Sequence, residues 1–426
     1  MSALNTVTPR PFDGRPTATV SVPGSKSIAN RALVAAALAT GPTELTNVPD
    51  GDDTVAMARC LHDLGLEIER SGSVVTVAGG GGTWGPGSRV LHAALAGTTS
   101  RFVTALAALS SDPVTIDGHE PLRRRPFAPL HDALAQLGVS VVCGGAAGHL
   151  PVTVQGPPRS GSASISGDVS SQYVSALMLI GPYLPGGLGL RLTSPLVSRP
   201  YVELTAAVMG WFGCDGVDVL DDAIVVAPGR YLGRSIEVEA DASSASYPMA
   251  VAAVTGGTIT IAGLGAGSLQ GDAAFARILS EMGCTVSADD RETTVRGAER
   301  LRGVDIDMAD VSDLVPSLAV VAAMAATPTR IRGVGFIRGK ESDRLGDLAR
   351  ELRAAGVRVA ETGDGLEIEP SRHLLVPARL ETHHDHRLAM AFAVLSTVAP
   401  GLEIVEPGVV SKSWPDFWSA LESLRP

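Results

Sequence analysis

A mixed α/β protein built from six similar units is predicted by three features of this sequence. First, a chain of 426 residues with 45% hydrophobic and 19% charged residues can bury two cores of ordinary domain size. Second, a pair of an apolar residue and a glycine recurs along the chain, followed by residues that favour strands. Third, six polar clusters each precede an almost wholly apolar segment of helical length. Their common spacing indicates an internally repeated fold.

The recurring glycines mark predicted helix ends. They are Gly65, Gly138, Gly213, Gly283 and Gly356, and they lie 73, 75, 70 and 73 residues apart. A helix commonly ends on a glycine in the left-handed conformation, and the β-branched residues that follow favour a strand. Each copy therefore predicts a helix, a turn and a strand. A period near 73 residues in a chain of 426 predicts six units.

The polar clusters are in phase with these glycines. Their markers are Ser27, Thr98, Ser171, Ser244, Asp313 and His386, at intervals of 71, 73, 73, 69 and 73 residues. The apolar segments predicted as buried helices are residues 28–39, 101–109, 173–184, 245–254, 314–326 and 388–398. If these helices share one orientation, their N-termini present N–H groups and positive dipole ends at one face, which binds anions. The alternative is that each marker is an ordinary N-cap, and the Ser243–Ser244 copy fits that structural role.

Lysine is rare in this chain. Of 34 basic residues three are lysines, namely Lys26, Lys340 and Lys412. An ammonium group can release a proton, whereas a guanidinium stays charged, so retained lysines indicate roles that arginine cannot fill. The alternative is three surface lysines retained by chance. The segment around Lys26 is no P-loop, because Ser25 stands where that motif requires glycine.

Three charged segments stand out, and the first is open to two interpretations. Residues 338–344 are either a solvated helix start, with Glu341 and Arg344 as i, i+3 neighbours, or a carboxylate held among cations for proton transfer. The arginines at 123–125 form another charge cluster, for which a solvated loop is the commoner interpretation. Residues 383–386 contain three histidines, but adjacent side chains diverge, so we expect no metal there.

Charge and hydropathy exclude two classes of protein. A net charge of -11 argues against a general nucleic-acid binder. No run of about 18 uncharged apolar residues occurs, and Met1–Arg15 has no apolar core of signal-peptide length. We therefore expect a cytoplasmic protein that binds neither nucleic acid nor membrane.

Together these motifs resemble the EPSP synthase (3-phosphoshikimate 1-carboxyvinyltransferase) family of enolpyruvyl transferases. The matching segments, in the family's order, are Pro23–Ser27 with Asn30-Arg31, Ala96–Thr98 with Arg101, Arg125-Pro126, Val169–Gln172, Val197–Tyr201, Asp241–Tyr247, Lys340–Arg344 and Asp385–Arg387. They extend over nearly the whole chain. Departures from the commonest pattern are Leu95, Phe102, Arg124, Phe336 and His384.

The resemblance implies a fold. It is an α/β (α+β) architecture of two similar domains, each with three βαβαββ repeats and buried parallel helices, and with the active site in the cleft between the domains. The implied domains are residues 22–240 and a discontinuous domain of residues 1–21 plus 241–426. Because both domains are expected to supply ligands, catalysis should require domain closure.

The resemblance also implies an activity. The enolpyruvyl group of phosphoenolpyruvate is transferred to the 5-hydroxyl of shikimate 3-phosphate by addition and elimination, releasing phosphate, in aromatic amino acid biosynthesis. No metal or organic cofactor is implied, and we expect a monomer. The nearest alternative is a UDP-N-acetylglucosamine enolpyruvyl transferase, but residues 112–125 lack the cysteine common in that family. A non-catalytic anion-binding relative is the other alternative, opposed by the intact Lys26, Asp313, Glu341 and Lys412.

Residue by residue, the resemblance assigns a site. It makes Asp313 the base near the 5-hydroxyl, Glu341 the proton-transfer partner at the methylene carbon, and Lys26 a cation and proton shuttle. The shikimate 3-phosphate ligands are Lys26, Ser27, Arg31, Ser170, Ser171, Gln172, Ser198, Tyr201, Asp313 and Lys340. The phosphoenolpyruvate ligands are Lys26, Gly97, Arg125, Gln172, Arg344, Arg387 and Lys412.

Overall fold

The computed structural model describes residues 5–426, which form two compact units. The inserted unit is Gly24–Val238, and the discontinuous unit contains the described residues up to Pro23 together with Glu239–Pro426. The predicted boundaries at Val22 and Ala240 lie within two residues of these positions. Residues 1–4, which the predicted discontinuous domain includes, lie outside the described residues.

The inserted unit combines helices with three sheets of four strands. Its helices are α1 (Lys26–Leu38), α2 (Asp52–Asp63), α3 (Gly97–Ala107), α4 (Glu120–Arg123), α5 (Ala128–Gln136), α6 (Ser171–Ile180) and α7 (Arg199–Trp211), with a 3₁₀ turn at Gly181–Tyr183. In hydrogen-bonded order its sheets are Ser235–Glu237, Thr43–Thr46, Val74–Val77 and Ile68–Ser71; Arg89–His92, Val114–Asp117, Val152–Gln155 and Ser140–Cys143; and Ser162–Ile165, Leu188–Leu192, Ala223–Val226 and Val217–Val219.

The discontinuous unit is built in the same way. Its helices are α8 (Ala242–Thr255), α9 (Ala274–Glu281), α10 (Val315–Ala323), α11 (Gly346–Ala354), α12 (His386–Ser396) and α13 (Phe417–Ser423), with 3₁₀ turns at Gly271–Ala273, Ser312–Leu314, Gly335–Gly339 and Pro407–Lys412. Its sheets are Thr285–Ala288, Glu292–Arg296, Thr258–Ala262 and Thr17–Ser21; Asp305–Asp307, Thr329–Arg332, Leu366–Ile368 and Val359–Glu361; and Thr6–Val7, Leu402–Val405 and Ala378–Leu380.

One topology recurs in these sheets. In the second sheet of the inserted unit, Arg89–His92 pairs in parallel with Val114–Asp117, and α3 forms the crossover between them. A parallel pair needs such a crossover, whereas the following Ser140–Cys143 and Val152–Gln155 form an antiparallel hairpin. With α5 before the hairpin, the element order is βαβαββ. The mixed α/β fold predicted from the repeats is confirmed.

The apolar helices lie inside their units. In the inserted unit α1, α3 and α6 contact one another, and in the discontinuous unit α8, α10 and α12 do. All residues of α12 are buried, as expected for a helix that is apolar on every face. The marker residues lie within or next to the first turn: α1 begins at Lys26 rather than at the predicted Ile28, and α3 at Gly97 rather than at Arg101. The polar marker residues fit the first turn of a helix, because the N–H groups of that turn have no hydrogen-bond partner within the helix.

The five predicted helix-ending glycines are confirmed by their backbone conformation. Gly65, Gly138, Gly213, Gly283 and Gly356 have φ values of 104°, 83°, 87°, 105° and 89°. This left-handed region is readily accessible to a residue without Cβ. Each glycine therefore reverses the chain between a helix and the strand segment that follows it. Among residues 5–426, no helix combines the length and hydrophobicity that crossing a membrane requires.

Candidate active site

The start of α1 places Lys26 beside an acidic residue that the sequence reading did not single out. Lys26 Nζ donates to Asp53 Oδ2 at 3.0 Å, and the two side chains are 17% and 4% exposed. Thr99, in the first turn of α3, donates through Oγ1 to the Asp53 backbone oxygen at 2.9 Å. Asp53 therefore links the starts of α1, α2 and α3. Its sequence signal was weak, because an acidic residue in the first turn of a helix is common.

Arg31 lies one turn further along α1 and is fully enclosed. Its Nε donates to Thr205 Oγ1 at 2.7 Å, and its Nη1 to Ser27 O at 2.9 Å. Its Nη2 donates to Tyr201 O at 3.0 Å and to Ser175 Oγ at 3.2 Å. Burial lowers the pKa of Arg31 to about 10. The guanidinium thus joins α1, α6 and α7 through neutral oxygens.

Two arginines meet at the N-terminus of α3. Arg101 donates through Nη1 to Gln172 Oε1, which connects α3 with α6. Arg125 lies over Gly97: a Cβ added to Gly97 would lie 2.8 Å from Arg125 Nη1. The missing side chain lets the Arg125 guanidinium approach the first turn of α3. A cation at a helix N-terminus forms a site for an anion.

Hydroxyl groups surround the N-termini of α6 and α7. Ser170 caps α6, its Oγ accepting from Gln172 N at 3.3 Å. The Tyr173 hydroxyl donates to Pro126 O, which ties α6 to the segment that carries Arg125. Ser198 precedes α7 in the left-handed conformation, with φ of 53°, which is uncommon for serine. Apart from Arg125, which lies between α4 and α5, the predicted ligands of this unit therefore lie at or near the starts of α1, α3, α6 and α7.

In the discontinuous unit, Arg344 binds three carboxylates. Its Nε donates to Asp385 Oδ2 at 2.7 Å, its Nη1 to Asp313 Oδ1 at 2.8 Å, and its Nη2 to Glu341 Oε2 at 2.6 Å. The side chain is 2% exposed. Burial alone would lower the pKa of Arg344, but Asp385, Glu341 and Asp313 outweigh burial and raise it. Arg344 therefore holds the predicted base and the predicted proton-transfer partner on one guanidinium.

Asp313 is surrounded by cations. Arg387 Nη2 donates to Asp313 Oδ2 at 2.8 Å, and Lys340 Nζ lies 3.8 Å from Asp313 Oδ1. Burial would raise the pKa of Asp313, but Arg387, Lys340 and Arg344 together hold it well below its usual range. Asp313 is therefore ionised at neutral pH, with its side chain 17% exposed.

Glu341 is the second carboxylate of this group. Its Oε1 accepts from Lys412 Nζ at 2.9 Å while Oε2 accepts from Arg344. The alternative of a solvated helix start for residues 338–344 is wrong. Helix α11 begins later, at Gly346, because the Asp343 carboxylate accepts from Leu345 N at 3.2 Å and from Gly346 N at 2.9 Å. Residues 340–344 form an irregular segment that turns Glu341 and Arg344 inward.

Lys340 lies over an aromatic ring. Its Nζ is 5.9 Å from the ring centre of Phe336, one of the departures from the family pattern. An ammonium above an aromatic face is attracted to the ring's electrons. Phe336 thus supports the position of Lys340 beside Asp313.

The start of α12 is fixed by Asp385. Its Oδ1 accepts from Arg387 N at 2.9 Å, as an N-cap does, and its Oδ2 accepts from Ser342 Oγ at 3.2 Å as well as from Arg344. The preceding histidines diverge as expected: His383 contacts Glu351 and His384 contacts Glu406. Asp385 therefore aligns α12 with the 342–344 segment.

A buried carboxyl that the sequence reading missed lies near this group. Ser243, in the first turn of α8, donates through Oγ to Asp272 Oδ2. Burial, and then the negative charge of Asp313, raise the pKa of Asp272 to about 6. The neighbouring Ser244 donates through N and Oγ to Asp241 Oδ2 at 2.9 and 2.6 Å, which caps α8. Asp272 stands outside every charge cluster in the sequence, so no pattern pointed to it.

Comparison with known proteins places these motifs in one family. The family model described as EPSP synthase (3-phosphoshikimate 1-carboxyvinyltransferase) matches residues 13–421. The chain is 40% identical over 414 residues to the 3-phosphoshikimate 1-carboxyvinyltransferase of a Nostoc species, with 96% of each protein covered. It is 42% identical over 401 residues to the enzyme of that name from Methanoculleus marisnigri, with 94% of each covered.

A solved structure agrees with the sequence comparison. EPSP synthase from Acinetobacter baumannii matches with a TM-score of 0.83 and 26% identity, covering 99% of this chain and 98% of that chain. The match to the family extends over both units and includes the segments that carry Lys26, Asp313, Glu341 and Arg344. The resemblance seen in the motifs is thus confirmed, and the chain belongs to the EPSP synthase (3-phosphoshikimate 1-carboxyvinyltransferase) family of enolpyruvyl transferases.

Proposed function

We propose that this protein transfers the enolpyruvyl group of phosphoenolpyruvate to the 5-hydroxyl of shikimate 3-phosphate and releases phosphate, a step of aromatic amino acid biosynthesis. Family membership supplies the reaction class. The observation that carries the assignment within this chain is the arrangement of Asp313 and Glu341 on the Arg344 guanidinium, at 2.8 and 2.6 Å. Lys412 and Arg387 complete it, each bonded to one of the two carboxylates.

The reaction needs proton transfer at two atoms. In the addition step, the 5-hydroxyl oxygen bonds to the central carbon of phosphoenolpyruvate, the hydroxyl proton leaves, and the methylene carbon gains a proton. In the elimination step, the bond between that central carbon and the phosphate oxygen breaks, and the new methyl group returns a proton. Asp313 accepts the hydroxyl proton, Glu341 exchanges the proton at carbon, and Lys26 acts as cation and proton shuttle.

The charges around Asp313 set when it can act as a base. A carboxylate whose pKa is held far below its usual range is a weak base. The carboxylate and phosphate of phosphoenolpyruvate compete with Asp313 for Arg344 and Arg387. Once these cations bind the substrate, the pKa of Asp313 rises and its basicity increases. Substrate binding therefore prepares the proton acceptor.

The substrate ligands are proposed as follows. Shikimate 3-phosphate is held by Lys26, Ser27, Arg31, Ser170, Ser171, Gln172, Ser198, Tyr201, Asp313 and Lys340. Phosphoenolpyruvate is held by Lys26, Gly97, Arg125, Gln172, Arg344, Arg387 and Lys412. Hydroxyls, helix N-termini and arginine forks suit phosphate and carboxylate oxygens. The proposed reaction uses no metal or organic cofactor, and we propose a cytoplasmic monomer.

Phosphate release tests the assignment. Purified protein is incubated with phosphoenolpyruvate and shikimate 3-phosphate, and in parallel with phosphoenolpyruvate and UDP-N-acetylglucosamine. We expect turnover in the reaction that contains shikimate 3-phosphate and none in the reaction that contains UDP-N-acetylglucosamine. The Asp313→Asn variant serves as the catalytically impaired control. Turnover only with the nucleotide sugar would overturn the acceptor. Binding of both proposed substrates without phosphate release would indicate a non-catalytic relative.

A further inference from the structure

The turn before α12 contains two adjacent histidines in an unusual conformation. His383 and His384 have φ values of 50° and 57°, in the left-handed region that non-glycine residues seldom occupy. Despite this shared backbone, their surroundings differ. The His384 side chain is 75% exposed and pairs with Glu406, whereas that of His383 is 23% exposed and faces α11.

Helix α11 offers His383 two carboxylates. His383 Nε2 lies 2.8 Å from Glu351 Oε1, and its Nδ1 lies 3.8 Å from Asp347 Oδ1. The Glu351 side chain is 7% exposed, and its other oxygen accepts from Glu381 N at 3.0 Å. A buried carboxylate is costly unless it is paired. Both oxygens of Glu351 are therefore committed to the 381–383 segment.

The same helix also holds the segment that leads to Arg344. Asp347 Oδ2 accepts from Asp343 N at 3.0 Å, while Oδ1 pairs with Arg350 at 2.8 Å. Through Asp347 and Glu351, α11 is thus joined to two separate segments. One carries Arg344, and the other leads directly into Asp385.

These two segments meet at the Asp385 carboxylate. Asp385 N donates to Thr382 O at 2.8 Å, so the position of Asp385 depends on the turn that contains His383. Asp385 in turn accepts from Arg344 Nε at 2.7 Å. A rotation of the turn would move this carboxylate and with it the guanidinium that holds Asp313 and Glu341.

We propose that His383 is a positioning residue for phosphoenolpyruvate binding: by bridging to Glu351 and lying beside Asp347, it fixes the left-handed turn that sets Asp385 against Arg344. The inference rests on the proposed function. His383 acts through Asp385 and contacts no reacting atom. It therefore affects the ligands assigned to phosphoenolpyruvate more than those of the inserted unit, which are assigned mainly to shikimate 3-phosphate.

Steady-state kinetics of three variants test this role. His383→Ala removes the bridge and is expected to raise the KM for phosphoenolpyruvate about tenfold, because small displacements of positioning groups are costly. The KM for shikimate 3-phosphate should change less than about twofold, because eight of its ten assigned ligands lie in the inserted unit. His383→Gln keeps an Nε2 donor, so its KM for phosphoenolpyruvate should stay close to that of wild type. His384→Ala, with the same backbone conformation and an exposed ion pair, is the matched control and should behave as wild type.

The outcomes separate the inference from the proposed function. Equal kinetics for His383→Ala and His384→Ala, or a parallel rise in both KM values that glutamine does not rescue, would overturn the positioning role. Should His383→Ala fail to fold, Glu351→Gln must give the same selective rise, or the role is refuted. If wild type shows no turnover, phosphoenolpyruvate binding is measured by calorimetry with shikimate 3-phosphate present. A selective loss of that binding in His383→Ala would keep the inference while the proposed function fails, and equal or absent binding would overturn both.

Discussion

Of the residues that the structure describes, Arg31 and Arg344 are the most buried arginines of their respective units, and the two have opposite surroundings. Arg31, in the inserted unit, donates to hydroxyl and carbonyl oxygens of Thr205, Ser175, Ser27 and Tyr201. Arg344, in the discontinuous unit, donates to three carboxylates. Burial accordingly lowers the pKa of Arg31 to about 10, while the acids raise that of Arg344.

The difference separates two tasks. Neutral oxygens orient Arg31 without cancelling its charge, which suits the proposed binding of anionic ligands at the helix starts of this unit. Burial would raise the pKa of Asp313, but Arg387, Lys340 and Arg344 hold it well below its usual range, so this carboxylate stays ionised, as a proton acceptor must be. We interpret the inserted unit mainly as the binding half, to which Lys26 adds a proposed proton shuttle, and the discontinuous unit as the half that carries both proposed acid–base carboxylates, Asp313 and Glu341.

The largest expected effect is on stability and contrasts the two arginines directly. Arg344→Met removes the cation shared by the buried Asp385 and the partly buried Asp313 and Glu341, so we expect a loss of about 3–5 kcal/mol in the free energy of unfolding. Arg31→Met leaves neutral oxygens unpaired and should cost about 1–3 kcal/mol. Urea denaturation of both variants measures the difference. Equal losses of unfolding free energy in the two variants would contradict the difference between the surroundings of the two arginines.

Glu341→Gln tests whether the discontinuous unit carries the chemistry. The amide keeps the shape of the side chain but cannot exchange a proton, so we expect kcat to fall about 10²- to 10³-fold. The KM values for both substrates should change much less. A fall in kcat/KM that comes entirely from KM would make Glu341 a binding residue instead.

Gly97→Ala tests the binding half. The added methyl group would lie 2.8 Å from Arg125 Nη1, so the guanidinium must move away from the start of α3. We expect the KM for phosphoenolpyruvate to rise about tenfold, which is about 1.4 kcal/mol, with a smaller change in kcat. Gly408→Ala, at a glycine whose added Cβ would meet no atom within 4 Å, is the control. An unchanged KM for phosphoenolpyruvate in Gly97→Ala would mean that its binding does not require Arg125 to lie close to the start of α3.

The smallest expected effect is that of Asp272→Asn on the pH dependence of the free energy of unfolding. The folded-state pKa of Asp272 is raised to about 6, above the ordinary 3.8. The stability that its protonated form supplies is therefore present at low pH and is lost as the pH rises through 6. The asparagine variant has no carboxyl group to deprotonate and does not lose this stability. Its free energy of unfolding, relative to that of wild type, should therefore rise by about 1 kcal/mol between pH 5 and pH 8. A difference between the two proteins that is the same at both pH values would contradict the assigned pKa.

Local signals in the sequence predicted the repeated fold. The ends of helices at glycines such as Gly138 follow from backbone sterics, and the buried helices follow from apolar segments behind polar starts. Both signals reside in a few consecutive residues. The family motifs added the roles proposed for Lys26, Asp313 and Glu341, which stay predictions until they are measured.

The sequence did not predict contacts between residues that only the packing of the fold brings together. Asp53 and Asp272 matter because the fold brings them to Lys26 and Ser243, which lie 27 and 29 positions away in the sequence. The helical alternative for residues 338–344 failed for a related reason. Glu341 and Arg344 are spaced as helix neighbours, yet Arg344 is drawn inward by Asp385, which lies 41 positions away. Tertiary ion pairs overrode the local spacing there.

The discontinuous unit has a consequence for synthesis. Its strand Thr17–Ser21 pairs with Thr258–Ala262, and Val7 pairs with Ile404, 397 positions later. At about 5–20 residues per second, the ribosome needs roughly 20–80 s to supply that last partner. The inserted unit is contiguous and can complete all its sheets in the meantime. A nascent chain therefore carries its N-terminal strands unpaired beside a finished unit, which makes them a natural contact for chaperones during translation.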